Sequence, residues 1–277
     1  MTEAVRSESP PPGGVAPNAD KIRIEGLSYR YRRRGREDVA ALDDVDLTVG
    51  RGEFLSVAGP SGCGKSTLLR VLAGLQKPTG GVVRVRREHQ DRPLCAPVFQ
   101  EYSIFPWRSV EANVRLGLDA AGVDRAEARR RSQEWIERVG LAGFEKALPG
   151  NLSGGMKQRV ALARAFVVEP EILLMDEPFA ALDAQLRKVL QEELLAIVRE
   201  HSHTVFFVTH NLDEAILLSD RIALMSARPG RVRRIVDVPF ARPRSAALRK
   251  DPQFARLEED LWADLKDDVE ATEGAVQ

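Results

Sequence analysis

The chain has 277 residues, of which 43% are apolar and 30% charged. That is the composition of a globular protein with a core, not of a disordered or fibrous one. Its 41 basic residues balance its 41 acidic ones, which excludes an overall positive field drawing it to nucleic acid or an anionic membrane. No apolar run approaches the roughly 18 residues that a bilayer crossing needs. The proline-rich Ser7–Pro12 stands where a secretion signal would have its apolar stretch. Cys63 and Cys95, the only cysteines, lie far apart without a CxxC, as in a reducing compartment with neither disulfide framework nor zinc site.

Residues 1–20 carry four prolines and few large apolar side chains, and are expected to be a disordered tail. Ile22 and Ile24, and then Leu42, Val45, Leu47 and Val49, alternate with polar residues as half-buried strands do. Between them lies the basic, doubly aromatic stretch Tyr29–Arg36, whose arginines read as a solvated face. Phe54–Ala58 is a short apolar run, followed by a Gly/Pro/Ser turn and helical spacing over Ser66–Leu75. Val82–Val85 and Ala96–Phe99 read as further strands. From about Ser109 to Val168 the pattern is helical, with Asp124 and Ser153 as N-caps and Gly140 as a stop. Beyond Pro170 strands at Ile172–Met175, Thr204–Val208 and Arg221–Met225 alternate with helices at Ala184–Glu200 and Asn211–Leu218. Such alternation makes a parallel sheet with crossover helices. Residues 252–266 close the chain as an amphipathic helix marked by Phe254, Leu257, Leu261, Trp262 and Leu265.

Three segments carry chemistry. Gly59-Pro60-Ser61-Gly62-Cys63-Gly64-Lys65-Ser66-Thr67 matches G-x-x-x-x-G-K-[ST], between a strand and a helix. Small residues let consecutive backbone N–H groups curl around phosphate oxygens, and the helix N-terminus adds its positive end. Lys65 suits the β- and γ-phosphates, and the Ser66 hydroxyl suits Mg²⁺. In Ile172-Leu173-Leu174-Met175-Asp176-Glu177, a buried strand delivers two carboxylates at its C-terminal end, where open α/β sheets bind ligands. Asp176 suits the Mg²⁺ shell, and Glu177 a general base that deprotonates water. Leu152-Ser153-Gly154-Gly155-Met156-Lys157-Gln158-Arg159 opens an apolar helix about 23 residues before Asp176, a second place for an anion at a helix N-terminus.

Together these segments resemble the ATP-binding cassette (ABC) ATPases, the octet matching their signature sequence; the likeness covers about residues 21–226. By that resemblance Gln100 is the Q-loop glutamine, contacting Mg²⁺ or the attacking water, and Ala181-Leu182-Asp183 the D-loop, with Ala180 in place of the usual serine. His210 is the switch histidine on the γ-phosphate, and Asn211 follows where Asp is commoner. Tyr31 takes the place of the aromatic that stacks on adenine; Tyr29, two residues earlier on the same face, remains its rival. The implied fold is an α/β P-loop NTPase with a RecA-like core, an antiparallel β subdomain and an inserted helical subdomain. The expected organisation is a tail over 1–20, a nucleotide-binding domain over 21–240 with its helical subdomain at about 109–168, and a helical extension over 241–277.

The resemblance further implies a head-to-tail homodimer holding ATP between the phosphate loop of one copy and Ser153, Gly154 and Gly155 of the other. With one cassette and no membrane span, the chain is expected to serve separate permease subunits at the cytoplasmic face of the cell membrane. A solute-binding protein is an indirect partner, and nucleic acid is not one. The segment Gln100–Val110, in which Pro106-Trp107-Arg108 follows the Q-loop, and Met225-Ser226-Ala227-Arg228-Pro229-Gly230-Arg231 resemble the nitrate/sulfonate/taurine importer group, aliphatic sulfonates first. The alternative classes are a soluble ABC mechanoenzyme acting on DNA or ribosomes, against which the short helical insert speaks, and an inactive ATP-binding regulator, against which Lys65, Asp176, Glu177 and His210 together speak.

Overall fold

The structure is a computed structural model that describes residues 5–8, 20–32, 34–35, 37–101, 103–180, 182–201 and 203–274. In chain order its elements are β1 (Val5–Glu8), β2 (Asp20–Tyr31), β3 (Val39–Gly50), β4 (Phe54–Ala58), α1 (Lys65–Leu72), β5 (Gly80–Arg86) and β6 (Cys95–Val98). They continue with α2 (Val110–Ala120), α3 (Arg125–Arg138), α4 (Gly154–Phe166), β7 (Ile172–Asp176), α5 (Ala184–His201), β8 (Thr204–Thr209), α6 (Leu212–Leu218), β9 (Arg221–Met225), β10 (Val232–Asp237) and α7 (Pro252–Gly274). Residues 1–88 and 195–277 make up one compact unit and residues 89–194 a second.

The first unit holds a four-stranded sheet in the order β1-β5-β2-β3. β2 pairs antiparallel with both β3 and β5, and its buried positions Ile22, Ile24 and Leu27 face the core. Val5–Glu8, expected to be disordered, instead forms β1, in parallel register with Val83–Arg86. The cause is the free edge of β5, a row of backbone donors and acceptors that an extended segment satisfies. Residues 1–4 and 9–19, the rest of that expected tail, lie outside the described residues.

The same unit carries the strand order β10-β9-β4-β8. β4 is parallel to β8 and β9, and all residues of β4 and β8 are buried. This is the near-continuous apolar reading of strands covered on both faces, broken only by small hydroxyl residues. Helix α1 packs on β3 and β8, and α6 on β4 and β8. β10, an edge strand antiparallel to β9, escapes the apolar pattern because Arg233 and Arg234 occupy its middle. Those arginines pair with acidic residues of α7: Arg233 with Asp268 at 3.0 Å, and Arg234 with Asp264 at 2.6 Å and Asp260 at 3.1 Å. Helix α7 runs to Gly274, past the expected end at residue 266.

In the second unit β6 and β7 are parallel, Cys95↔Ile172 through Val98↔Met175. Helices α2, α3 and α4 pack on one another, and α4 on β6. Trp135 stacks on Phe166 at 5.2 Å between ring centroids. Asp124 caps α3 through the amides of Ala126 and Glu127. At its other end Gly140, at φ +68°, donates to the Glu137 carbonyl, and Leu141 donates to Ile136. That paired closure needs the left-handed conformation glycine adopts without strain. Buried Asn113 ties down the turn before α2: its Oδ1 accepts from Phe105 N at 2.7 Å, and its Nδ2 donates to the carbonyls of Phe105, Arg108 and Ser109 at 2.9–3.1 Å. The turn so held presents Trp107, 72% exposed, with its ring edge-on to Phe105 at 5.5 Å.

Candidate active site

In the first unit the register pair Ala58↔Thr209 sets Gly59 and His210 one step past the C-terminal ends of adjacent parallel strands. The phosphate loop leaves β4 at Gly59 and enters α1 at Lys65 through Gly64, at φ +105°. A Cβ on Gly64 would sit 2.6 Å from the Ala41 carbonyl oxygen, so both its dihedral and its space require glycine. Lys65 is 5% exposed, and its ammonium donates to the carbonyls of Gly59 at 2.8 Å and Pro60 at 2.9 Å. The loop thus arches over its own lysine. Ser66 is half-buried at the first turn of α1; Pro60 is buried, and Ser61 and Gly62 form the exposed outer part of the arch. Cys63 is buried inside it, and burial pushes its thiol above the usual range against the opposing charge of Lys65.

Sequence reasoning used the segment after β9 only as a likeness; the structure gives it a physical task. Arg228 Nε donates to the Gly62 carbonyl at 3.2 Å. Gly230 N donates to Ala41 O at 2.9 Å and Gly230 O accepts from Asp43 N at 3.1 Å, so this segment buttresses the loop. A Cβ on Gly230 would lie 1.9 Å from the Cys63 carbonyl oxygen. Because that neighbour is backbone, the loop itself must shift. Gly230→Ala should therefore weaken ATP binding at least tenfold and destabilise the unit by about 1–3 kcal/mol. Gly150→Ala, at a position with open space around its Cβ, should change neither. Nucleotide titration and thermal unfolding of the two variants check this.

Tyr31 reaches the loop helix directly, its hydroxyl 2.9 Å from the hydroxyl of Thr67. Tyr29 stands behind it with the rings edge-to-face at 4.9 Å. His210 is exposed. The chain around it is fixed: Thr209 Oγ1 accepts from Asn211 N at 3.0 Å, and Asn211 caps α6 by accepting from Glu214 N. Asn at this position fills the capping role as Asp would.

In the second unit the register pair Val98↔Met175 brings Gln100 and the Asp176–Glu177 pair past the ends of two adjacent parallel strands. Asp176 is 4% exposed; Glu177 is half-buried with φ +47°. A non-glycine residue in the left-handed region is uncommon, and such strain collects at functional sites. Ser153 and Gly154 form an exposed turn at the start of α4, where the Ser153 hydroxyl accepts from Met156 N at 3.3 Å. That leaves its proton free to be donated outward. Gly155 is buried against Leu186, whose Cδ2 would lie 2.1 Å from a Cβ there. Asp183 caps α5 through the amides of Gln185 and Leu186. Ala181, in the expected D-loop, lies outside the described residues.

The residues expected to offer oxygens to Mg²⁺ are Ser66, in the first unit, and Gln100 and Asp176, in the second; a hydroxyl, an amide oxygen and a carboxylate are all hard donors. No group of three or more His, Cys, Asp or Glu side chains able to hold a metal is present among the described residues. One carboxylate with neutral oxygens fits Mg²⁺ held jointly with substrate phosphates, and not a protein cage.

A model of the ABC transporter family matches residues 42–180. The chain belongs to the ABC transporter family. It is 48% identical over 254 residues to an uncharacterized ABC transporter ATP-binding protein of Methanocaldococcus jannaschii, spanning 90% of this chain and 92% of that one. It is 44% identical over 246 residues to an aliphatic sulfonates import ATP-binding protein of Rhodococcus jostii (89% and 94%), and 40% identical over 253 residues to one of Bacillus subtilis (88% and 95%). Among solved structures it is similar to a dimeric ATP-binding cassette in a post-hydrolysis state with ADP and phosphate. That likeness has TM-score 0.71 and 32% identity, covering 79% of this chain and all of that one. This ABC cassette is thus an ATPase of the P-loop class, and its antiparallel and parallel sheets are those of the ABC fold. No helix among its described residues is long and apolar enough to cross a membrane.

Proposed function

We propose that this chain is the ATP-hydrolysing subunit of an importer for small oxyanions, aliphatic sulfonates first and taurine or nitrate next. The observation that carries the reading is its 40–47% identity, over most of its length, to relatives named as aliphatic sulfonates import ATP-binding proteins. The chain would work as a homodimer at the cytoplasmic face of the membrane, bound to permease subunits that receive solute from a binding protein. Phe105 and Trp107, displayed by the Asn113 turn, supply the aromatic surface for a permease helix.

The phosphate-loop amides and Lys65 bind the triphosphate, Tyr31 or Tyr29 stacks on adenine, and Thr67 lies beside the loop amides. Ser66, Gln100 and Asp176 would hold Mg²⁺, which when bound neutralises charge on the β- and γ-phosphates. Glu177 orients the attacking water and takes its proton, and His210 donates to the γ-phosphate. Ser153, Gly154 and Gly155 of one copy close on the nucleotide of the other. ATP favours the closed dimer because only there does it touch both faces, and hydrolysis removes that bridge.

A host lacking this gene should fail to grow on an alkanesulfonate as sole sulfur source while growing normally on sulfate. The intact gene should restore growth, and Trp107→Ala should restore at most about a tenth of the uptake rate while keeping ATP binding. Undiminished growth of the deletion strain on alkanesulfonates, taurine and nitrate would refute the substrate assignment. Full coupling by the Trp107 variant would refute the docking surface.

A further inference from the structure

Strand β8 ends at Thr209 and helix α6 begins at Leu212, so only His210 and Asn211 stand between them. Both elements are anchored: every residue of β8 is buried, and so are Leu212 and Ala215–Leu218 of α6. His210 shares a cleft of about 230 Å³ with Gly59, Pro60 and Ser61 of the phosphate loop. The imidazole has contacts of its own. What strand and helix leave undetermined is the short stretch of chain that carries it, and three hydrogen bonds settle that.

The Glu214 carboxylate accepts from the Thr209 hydroxyl at 2.9 Å. The same hydroxyl oxygen accepts from Asn211 N at 3.0 Å, and Asn211 Oδ1 accepts in turn from Glu214 N at 3.2 Å. Thr209 and Glu214 are 1% and 5% exposed. In an ordinary capping box the glutamate at the third helical position bonds the cap residue's own N–H. Here Glu214 holds that third position and Asn211 the cap, but the Thr209 hydroxyl is inserted between them. A box closed directly on Asn211 would fix the start of the helix alone. Closed through Thr209, it also spans His210. A hydroxyl has one proton and can rotate it. Donation to Glu214 turns that proton away from Asn211 and leaves a lone pair for the Asn211 N–H. Without the carboxylate the hydroxyl loses its fixed direction, and the link across His210 loses its fixed geometry. Burial raises the cost of leaving any member of this ring unpaired.

We propose that Glu214 is a positioning residue for His210: acting through the Thr209 hydroxyl, it fixes the backbone that carries the imidazole at the cleft shared with the phosphate loop. This rests on the assignment of His210 to the γ-phosphate. Misplacing a reacting group by about 1 Å costs up to about a hundredfold in rate, whereas the loop amides and Lys65 hold ATP without it. The effect therefore falls on kcat and not on KM.

The test is Mg²⁺-ATP turnover by the full-length chain carrying Glu214→Ala, Glu214→Gln, Thr209→Val or His210→Ala. Glu214→Ala and Thr209→Val remove the two ends of one hydrogen bond, and each should lower kcat about tenfold with KM for ATP within twofold. Combined, they should be within about twofold of the slower single variant, as for groups that act through one another. Glu214→Gln keeps an oxygen acceptor and should retain at least half of wild-type kcat. Thr209→Val is nearly isosteric, so it reports on the ring even where Glu214→Ala does not fold. Wild-type kcat in Thr209→Val overturns the proposal. So does a combined loss equal to the product of the single losses, a KM that rises as much as kcat falls, or a Gln variant as slow as the Ala variant; each would mark the ring as a helix cap alone. If His210→Ala turns over ATP normally, the assignment of the histidine fails, and the role of Glu214 with it. If His210→Ala is impaired while Thr209→Val is normal, only the role of Glu214 fails.

Discussion

Protein carrying Glu177→Gln will bind ATP about as tightly as the wild type and hydrolyse it at least about a hundredfold more slowly, since removing a positioned general base removes two to four decades of rate. The substitution is nearly isosteric, so it isolates the proton-accepting carboxylate. Glu177 follows a strand buried at every position and adopts φ +47°. Glutamine tolerates that conformation about as well as glutamate, so the change leaves the strain as it was. Asp176 stays in place beside it, 4% exposed. ATP-loaded dimers should therefore accumulate, visible as an earlier peak in gel filtration with ATP and absent with ADP. Wild-type turnover in this variant would take Glu177 out of the role of base.

Lys65→Ala should produce the opposite division. Its ammonium is buried and donates to two loop carbonyls. Removing it deletes the positive charge proposed to meet the triphosphate and leaves both carbonyls without their donor. Hydrogen bonds to charged groups are worth about 1.5–3 kcal/mol each. If the ammonium makes two such bonds to phosphate oxygens when ATP is bound, their loss corresponds to a fall in ATP affinity of about a hundredfold or more. Calorimetric titration with ATP checks it, and binding within a few-fold of wild type would show that the loop amides carry the affinity alone. The pair of variants thus divides capture of nucleotide from its cleavage.

Much of this was legible in the residues because strand, loop and helix announce themselves locally. Phe54–Ala58 and Ile172–Met175 are apolar runs of strand length, and the residues one step past them are the ones to which the resemblance assigns the chemistry. The caps at Asp124, Ser153 and Asn211 and the stop at Gly140 were equally local. What escaped depends on partners distant in the chain. β10 was hidden because its arginines are matched by aspartates some 30 residues later. Val5–Glu8 becomes a strand only through the edge of β5. The place of Gly230 under the phosphate loop follows from contacts with Ala41 and Cys63 that no spacing rule connects. The choice between Tyr29 and Tyr31 was open on alternation alone; the hydroxyl of Tyr31 on Thr67 adds a link that pattern could not supply.

The self-bonded lysine also bears on which anions this loop admits. Its ammonium spans the Gly59 and Pro60 carbonyls, so the loop supplies that charge with partners of its own. Incoming anions then compete against two neutral oxygens, a contest settled by charge. Inorganic phosphate and its tetrahedral or trigonal mimics should accordingly act as competitive brakes on this cassette at millimolar levels, making the spent product of each cycle a throttle on the next.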